Sequence, residues 1–61
     1  MDLFYDPHDD ADQKRVEAIL RKNNIAYDLH LEPVTGKGPM QIFVNEKDMA
    51  RAEDLIAHHE R

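Results

Sequence analysis

Cysteine, serine and tryptophan are absent from this 61-residue chain, and glycine occurs only twice. Without cysteine there can be no disulfide and no thiolate zinc site, so the scaffold must rest on its apolar core, as suits a reducing cytoplasm. Without serine, Thr35 and the two tyrosines are the only hydroxyl groups, which leaves nucleophilic catalysis almost nothing to use. No catalytic residue and no cofactor motif is assigned, and the expected activity is non-enzymatic. Apolar runs never approach membrane-spanning length, and Met1-Asp2-Leu3-Phe4-Tyr5-Asp6 lacks the basic and apolar regions of a signal peptide. A cytoplasmic protein with no membrane partner is expected. Positive charge is also scarce: eight Lys and Arg face thirteen Asp and Glu, a formal charge of -5. That balance repels phosphate backbones and disfavours nucleic acid as a partner. What is present suits one globular unit over 1–61, with 41% hydrophobic residues for a core and 34% charged residues for its exterior. A chain of about 60 residues buries only about 60% of its unfolded surface, so self-association is an expected source of further stability.

The pattern along the chain reads β-α-β-β-α. Leu3-Phe4-Tyr5, closed by Asp6-Pro7, forms a first short strand. A helix starts near Ala11, with Asp10 as cap and Gln13 reaching back to it. It carries Val16, Ile19 and Leu20 on one face and ends at Asn23-Asn24, where asparagine tolerates a left-handed conformation. Ile25, Tyr27, Leu29 and Leu31 alternate with Ala26, Asp28, His30 and Glu32 as the buried face of a second strand. A loop containing Pro33 to Pro39 follows, then a third strand in which Met40, Ile42 and Val44 share one face and Gln41 and Phe43 the other. Asn45 caps a last helix from Glu46 to about His59, which turns Met49, Ala52, Leu55 and Ile56 inward.

Connectivity then selects the α+β class, as a ferredoxin-like split unit. A helical crossover makes strands one and two parallel, a short link makes two and three antiparallel, and strand three falls in the middle. The sheet order is 1-3-2, with both helices on one face. If Leu3 and Tyr5 point inward, Phe4 lies beside Phe43 on the uncovered face, joined by Asp28 and His30. These four residues, Phe4, Asp28, His30 and Phe43, are the candidate partner-binding set, because exposed aromatic area on a sheet marks interaction surfaces. Strand one also has an unpaired edge, and a homodimer through that edge or the open face is expected. The structural alternative is that Phe4 and Phe43 simply pack on each other and on aliphatic stems.

Other constellations carry less. Asp6, His8, Asp10 and Asp12 alternate, and Glu17 falls where a calcium loop places its bidentate carboxylate. Ala11, however, stands where that loop needs glycine, and helix capping explains the same acids. His58 and His59 diverge by about 100° on a helix and match no zinc-ligand spacing, so no metal site is assigned. Thr35-Gly36-Lys37-Gly38 lacks the glycine spacing and following helix of a phosphate-binding loop.

Leu3-Phe4-Tyr5, Val16-x-x-Ile19-Leu20 running into Asn24-Ile25, and Ile42-Phe43-Val44 with Asp48, Ala52 and Leu55-Ile56 together resemble a family of unknown function described as prokaryotic signal-transducing proteins. The likeness spans nearly the whole chain, with Asn24 where such sequences typically carry glycine. It implies a ferredoxin-like or nitrogen-regulator-like fold and a regulatory binding role, with no catalytic residues. A second likeness joins Leu3-Phe4-Tyr5, Asn24-Ile25-Ala26-Tyr27 and Gly38-Pro39-Met40-Gln41-Ile42-Phe43-Val44 and is similar to glutaredoxins. The redox cysteines are missing, as is the helix that separates strands two and three there, so it implies a degenerate, non-redox relative.

Three functions are consistent with these readings. A regulatory or adaptor domain binding a protein partner, or itself, through the open sheet face leads. A single-stranded RNA module would stack bases on the two phenylalanines, against the charge. A metal or small-ligand sensor would use His8 and its acidic neighbours.

Overall fold

The computed structural model describes residues 1–31 and 38–59, leaving the side chain of His59 aside. Strand β1 spans Asp2–Tyr5, helix α1 Asp10–Lys22, strand β2 Tyr27–His30 and strand β3 Gln41–Val44. A single 3-10 turn at Glu46–Asp48 then leads into helix α2, Met49–His59. The three strands form one antiparallel-paired sheet in the order β1-β3-β2, as the connectivity implies.

Helical periodicity selects the core. Val16, Ile19 and Leu20 from α1 meet Ile42 and Val44 from β3 and Ala52 and Ile56 from α2, with Ile25 closing the cluster. Val16, Leu20, Ile42, Val44 and Ala52 are fully buried. Both helices therefore cover the same sheet face, the one to which Ile42 and Val44 point. At 15 Å through its thinnest direction, the chain has depth for one sheet layer and one helix layer.

The ends of α1 follow local chemistry. Its N-cap is Asp9, not the expected Asp10: the Asp9 carboxylate accepts from the Asp12 backbone N–H at 2.8 Å, and Asp9 itself is extended. Gln13 does not reach back to the cap. Its amide oxygen accepts from the Met40 N–H at 2.7 Å, and its NH2 donates to Glu17 at 2.9 Å, so it ties the start of β3 to the helix. At the other end Asn24 adopts φ 58°. Backbone donors of Asn24 and Ile25 close on Arg21 and Leu20 carbonyls, ending the helix as expected.

Strand β2 and the last helix differ in their bounds from the sequence pattern. Ile25 is buried but precedes β2, and Leu31, expected on the inner face, is 57% exposed just beyond the strand's paired residues. The last helix opens with the 3-10 turn, in which the Asp48 N–H donates to the Asn45 carbonyl at 2.9 Å, while the Asn45 side chain makes no capping bond. Among the described residues, no helix is long and apolar enough to cross a membrane.

Candidate functional site

Strand pairing determines which side chains share the face that, among the described residues, no helix covers. On β3, Ile42 and Val44 point to the helices, so Gln41 and Phe43 point away. Asp28 of β2 lies opposite Phe43, and His30 lies opposite Gln41, which puts all four on the open side. The His30 ring sits against Phe43, with centroids 4.6 Å apart and planes tilted by 58°. Three of the four expected partner-binding residues thus share one face.

Phe4 does not join them. Leu3 pairs with Phe43 and Tyr5 with Ile42, so the register skips Phe4 in a β-bulge. The bulge gives β1 one residue more than its partner, and the Phe4 ring packs against the buried cluster, 6.2 Å from Tyr5. Leu3, expected inward, occupies the open face and is 49% exposed. The apolar centre is therefore Leu3 beside Phe43, flanked by Asp28 and by the tilted His30 ring. Base stacking would meet one aromatic and one leucine on the neighbouring strands in place of the expected two aromatics.

Two tyrosine-carboxylate clamps position this sheet on α1. On the β1 side, the Tyr5 hydroxyl donates to Asp12 Oδ2 at 2.8 Å and the His8 backbone N–H donates to the same oxygen at 3.1 Å. The Arg15 guanidinium meets Asp12 Oδ1 at 2.7 Å. Chiefly through the Arg15 hydrogen bond, then through the His8 N–H, the Asp12 carboxyl is held down at about 2 although burial opposes the shift. On the β2 side, the Tyr27 hydroxyl donates to Glu17 Oε1 at 2.9 Å, with Arg21 close to both. Burial, reinforced by Glu17, raises the Tyr27 phenol above its ordinary range. Both shifts lead away from neutrality, so neither group is tuned to exchange a proton near pH 7.

These clamps escape a reading by helical period, which assigns Arg15, Glu17 and Arg21 to the solvated face. The available signal was the tyrosine itself: a strand tyrosine facing a helix buries its ring and needs a partner for its hydroxyl.

The alternating acids do not converge. Asp6, His8 and Asp10 are exposed, Asp12 is engaged by Tyr5, His8 and Arg15, and among the described residues no three His, Asp or Glu side chains gather as a metal-ligand set. His58 pairs with Asp54 at 3.3 Å on the outer side of α2. Thr35, Gly36 and Lys37 of the glycine-rich loop lie outside the described residues. A shallow groove on α1, lined by Arg15, Ala18, Ile19 and Lys22, brings together two cations but no acid or nucleophile. No protein family, curated protein or solved structure matches this chain.

Proposed function

We propose that this domain is a non-enzymatic binding module that recognises a protein partner, a second copy of the chain included, through the open sheet face. One observation carries the reading. Two helices cover one side of a three-stranded sheet, while the other side presents Leu3 next to Phe43 in direct register. An apolar pair rimmed by polar groups is the composition of a recognition patch, and Asp28 and His30 supply that rim. The chemistry describes the partner: an apolar side chain to seat between Leu3 and Phe43, and a basic or amide donor to meet Asp28. The net charge of -5 makes a basic protein surface a better match than a phosphate backbone.

The test is affinity purification from the cells that express the chain, followed by reconstitution with purified components. A Leu3→Ala/Phe43→Ala double variant should weaken the reconstituted complex at least about tenfold, as truncated central apolar residues do. Glu53→Ala, on the exposed side of α2, should leave it unchanged. A partner bound equally well by the double variant would refute the reading.

A further inference from the structure

We propose that β2 is a self-pairing edge, along which two copies of the chain join in antiparallel register about a two-fold axis through Leu29. Among the described residues β2 pairs only with β3, so its other side presents unpaired backbone donors and acceptors. Strand β1 is the opposite edge, but its bulge at Phe4 blunts it against such pairing. By contrast β2 pairs from Tyr27 to His30 without irregularity. From sequence a homodimer through the β1 edge or the open face is expected, and this pairing uses the β2 edge instead.

The side chains select the register. Directly opposed residues of antiparallel strands share a face, so a two-fold must pass through one residue of the strand. Centred on Asp28, it would set the two carboxylates against each other. Centred on His30, it would oppose two imidazoles. Centred on Leu29, it pairs Asp28 of each copy with His30 of the other, an imidazole N–H donating to a carboxylate twice over, while Leu29 meets Leu29 and Tyr27 meets Leu31. Within β2 this register aligns Asp28 to His30, and it brings Tyr27 opposite Leu31 just beyond the strand. It gives Leu31, 57% exposed in the single chain, an apolar partner.

The resulting sheet is continuous, with six strands and all helices on one side. Leu3 and Phe43 stay clear of this edge, so the dimer shares only Asp28 and His30 with the open-face reading, and a Leu3→Ala/Phe43→Ala variant should still form it. One short strand per copy buries less than the roughly 1,200 Å² of total surface typical of stable complexes, so the dimer is weak and depends on concentration.

The test is sedimentation equilibrium over a concentration series on the wild type, Asp28→Arg, His30→Glu and an equimolar mixture of the two variants, with circular dichroism as a control on folding. Both positions are exposed, so neither substitution disturbs the core. Alone, the first variant sets arginine against imidazole at both ends of the interface, and the second sets glutamate against aspartate. Each should weaken association about tenfold or more. In the mixture the introduced arginine of one chain faces the introduced glutamate of the other, and the remaining His30 faces the remaining Asp28, so association should return. A wild type monomeric throughout, single variants that associate like it, or a mixture that stays monomeric would each overturn the proposal. As a readout free of substitutions, a half-labelled wild-type sample should show intermolecular NMR contacts between Asp28 and His30. A dimer lacking them would equally refute this register.

Discussion

Replacing Asp12 by asparagine keeps the shape of the side chain but removes the charge that joins β1 to α1. In the native protein that carboxylate accepts from Tyr5, from the His8 backbone and from Arg15, and its pKa falls from an ordinary 3.8 to about 2. The difference, 3.8 less about 2, is worth at most about 2.4 kcal/mol at 1.36 kcal/mol per pKa unit. The Asp12 side chain is 13% exposed but Arg15 is 36% exposed, so solvent screening reduces the effect to about 1–2 kcal/mol. The sign follows from linkage. A carboxyl whose pKa is depressed by folding contributes stability above its unfolded value near 3.8, and loses it as pH falls through the folded value near 2. Urea unfolding of wild type and Asp12→Asn should therefore differ by about 1–2 kcal/mol at pH 6 and by only a few tenths at pH 2, because the other carboxylates are common to both proteins and cancel. A difference that is the same at both pH values would show that the clamp is not electrostatic and refute the reasoning.

Further expectations follow from single residues. Asn24 sits at φ 58°, so Asn24→Gly should be neutral or slightly stabilising and Asn24→Ala destabilising by about 1 kcal/mol in thermal or urea unfolding. Leu20→Ala removes a fully buried side chain at a cost of about 2–5 kcal/mol, which in so small a domain should abolish the cooperative transition. Asp9→Ala deletes the cap of α1 and should cost about 0.5–2 kcal/mol, whereas Asp10→Ala should cost far less. Spectrophotometric titration of Tyr27 in a Tyr5→Phe background should show ionisation above the usual phenol range, and Glu17→Gln should lower it.

The strand order was legible because the short link between strands two and three and the helical crossover between one and two leave few arrangements. The helix faces were legible as well: Val16, Ile19, Leu20, Ala52 and Ile56 recur at helical spacing and all are buried. Strand β1 was harder. Leu3-Phe4-Tyr5 is apolar throughout, so no alternation tells inner from outer residues, and one bulge moves Phe4 to the core side and Leu3 to the open face. Leu31 shows the opposite failure, since the two-residue period continues one step past the pairing that would bury it. The cap of α1 was ambiguous because adjacent aspartates, Asp9 and Asp10, are equally good capping residues and backbone geometry alone chooses between them. For the candidate site, Asp28, His30 and Phe43 were readable from period two, while Leu3 required the register.

The role of the uncovered face can be tested without knowing the partner. Amide NMR spectra of the isotopically labelled chain would be compared between dilute buffer and clarified extract of the cells that express it. If side chains on that face meet another protein, signals of Leu3, Asp28, His30 and Phe43 should weaken or shift, while those of Ala18 and Ala50 on the outer sides of the helices keep their positions and relative intensities. Changes confined to the helices, or uniform attenuation of every signal, would contradict it.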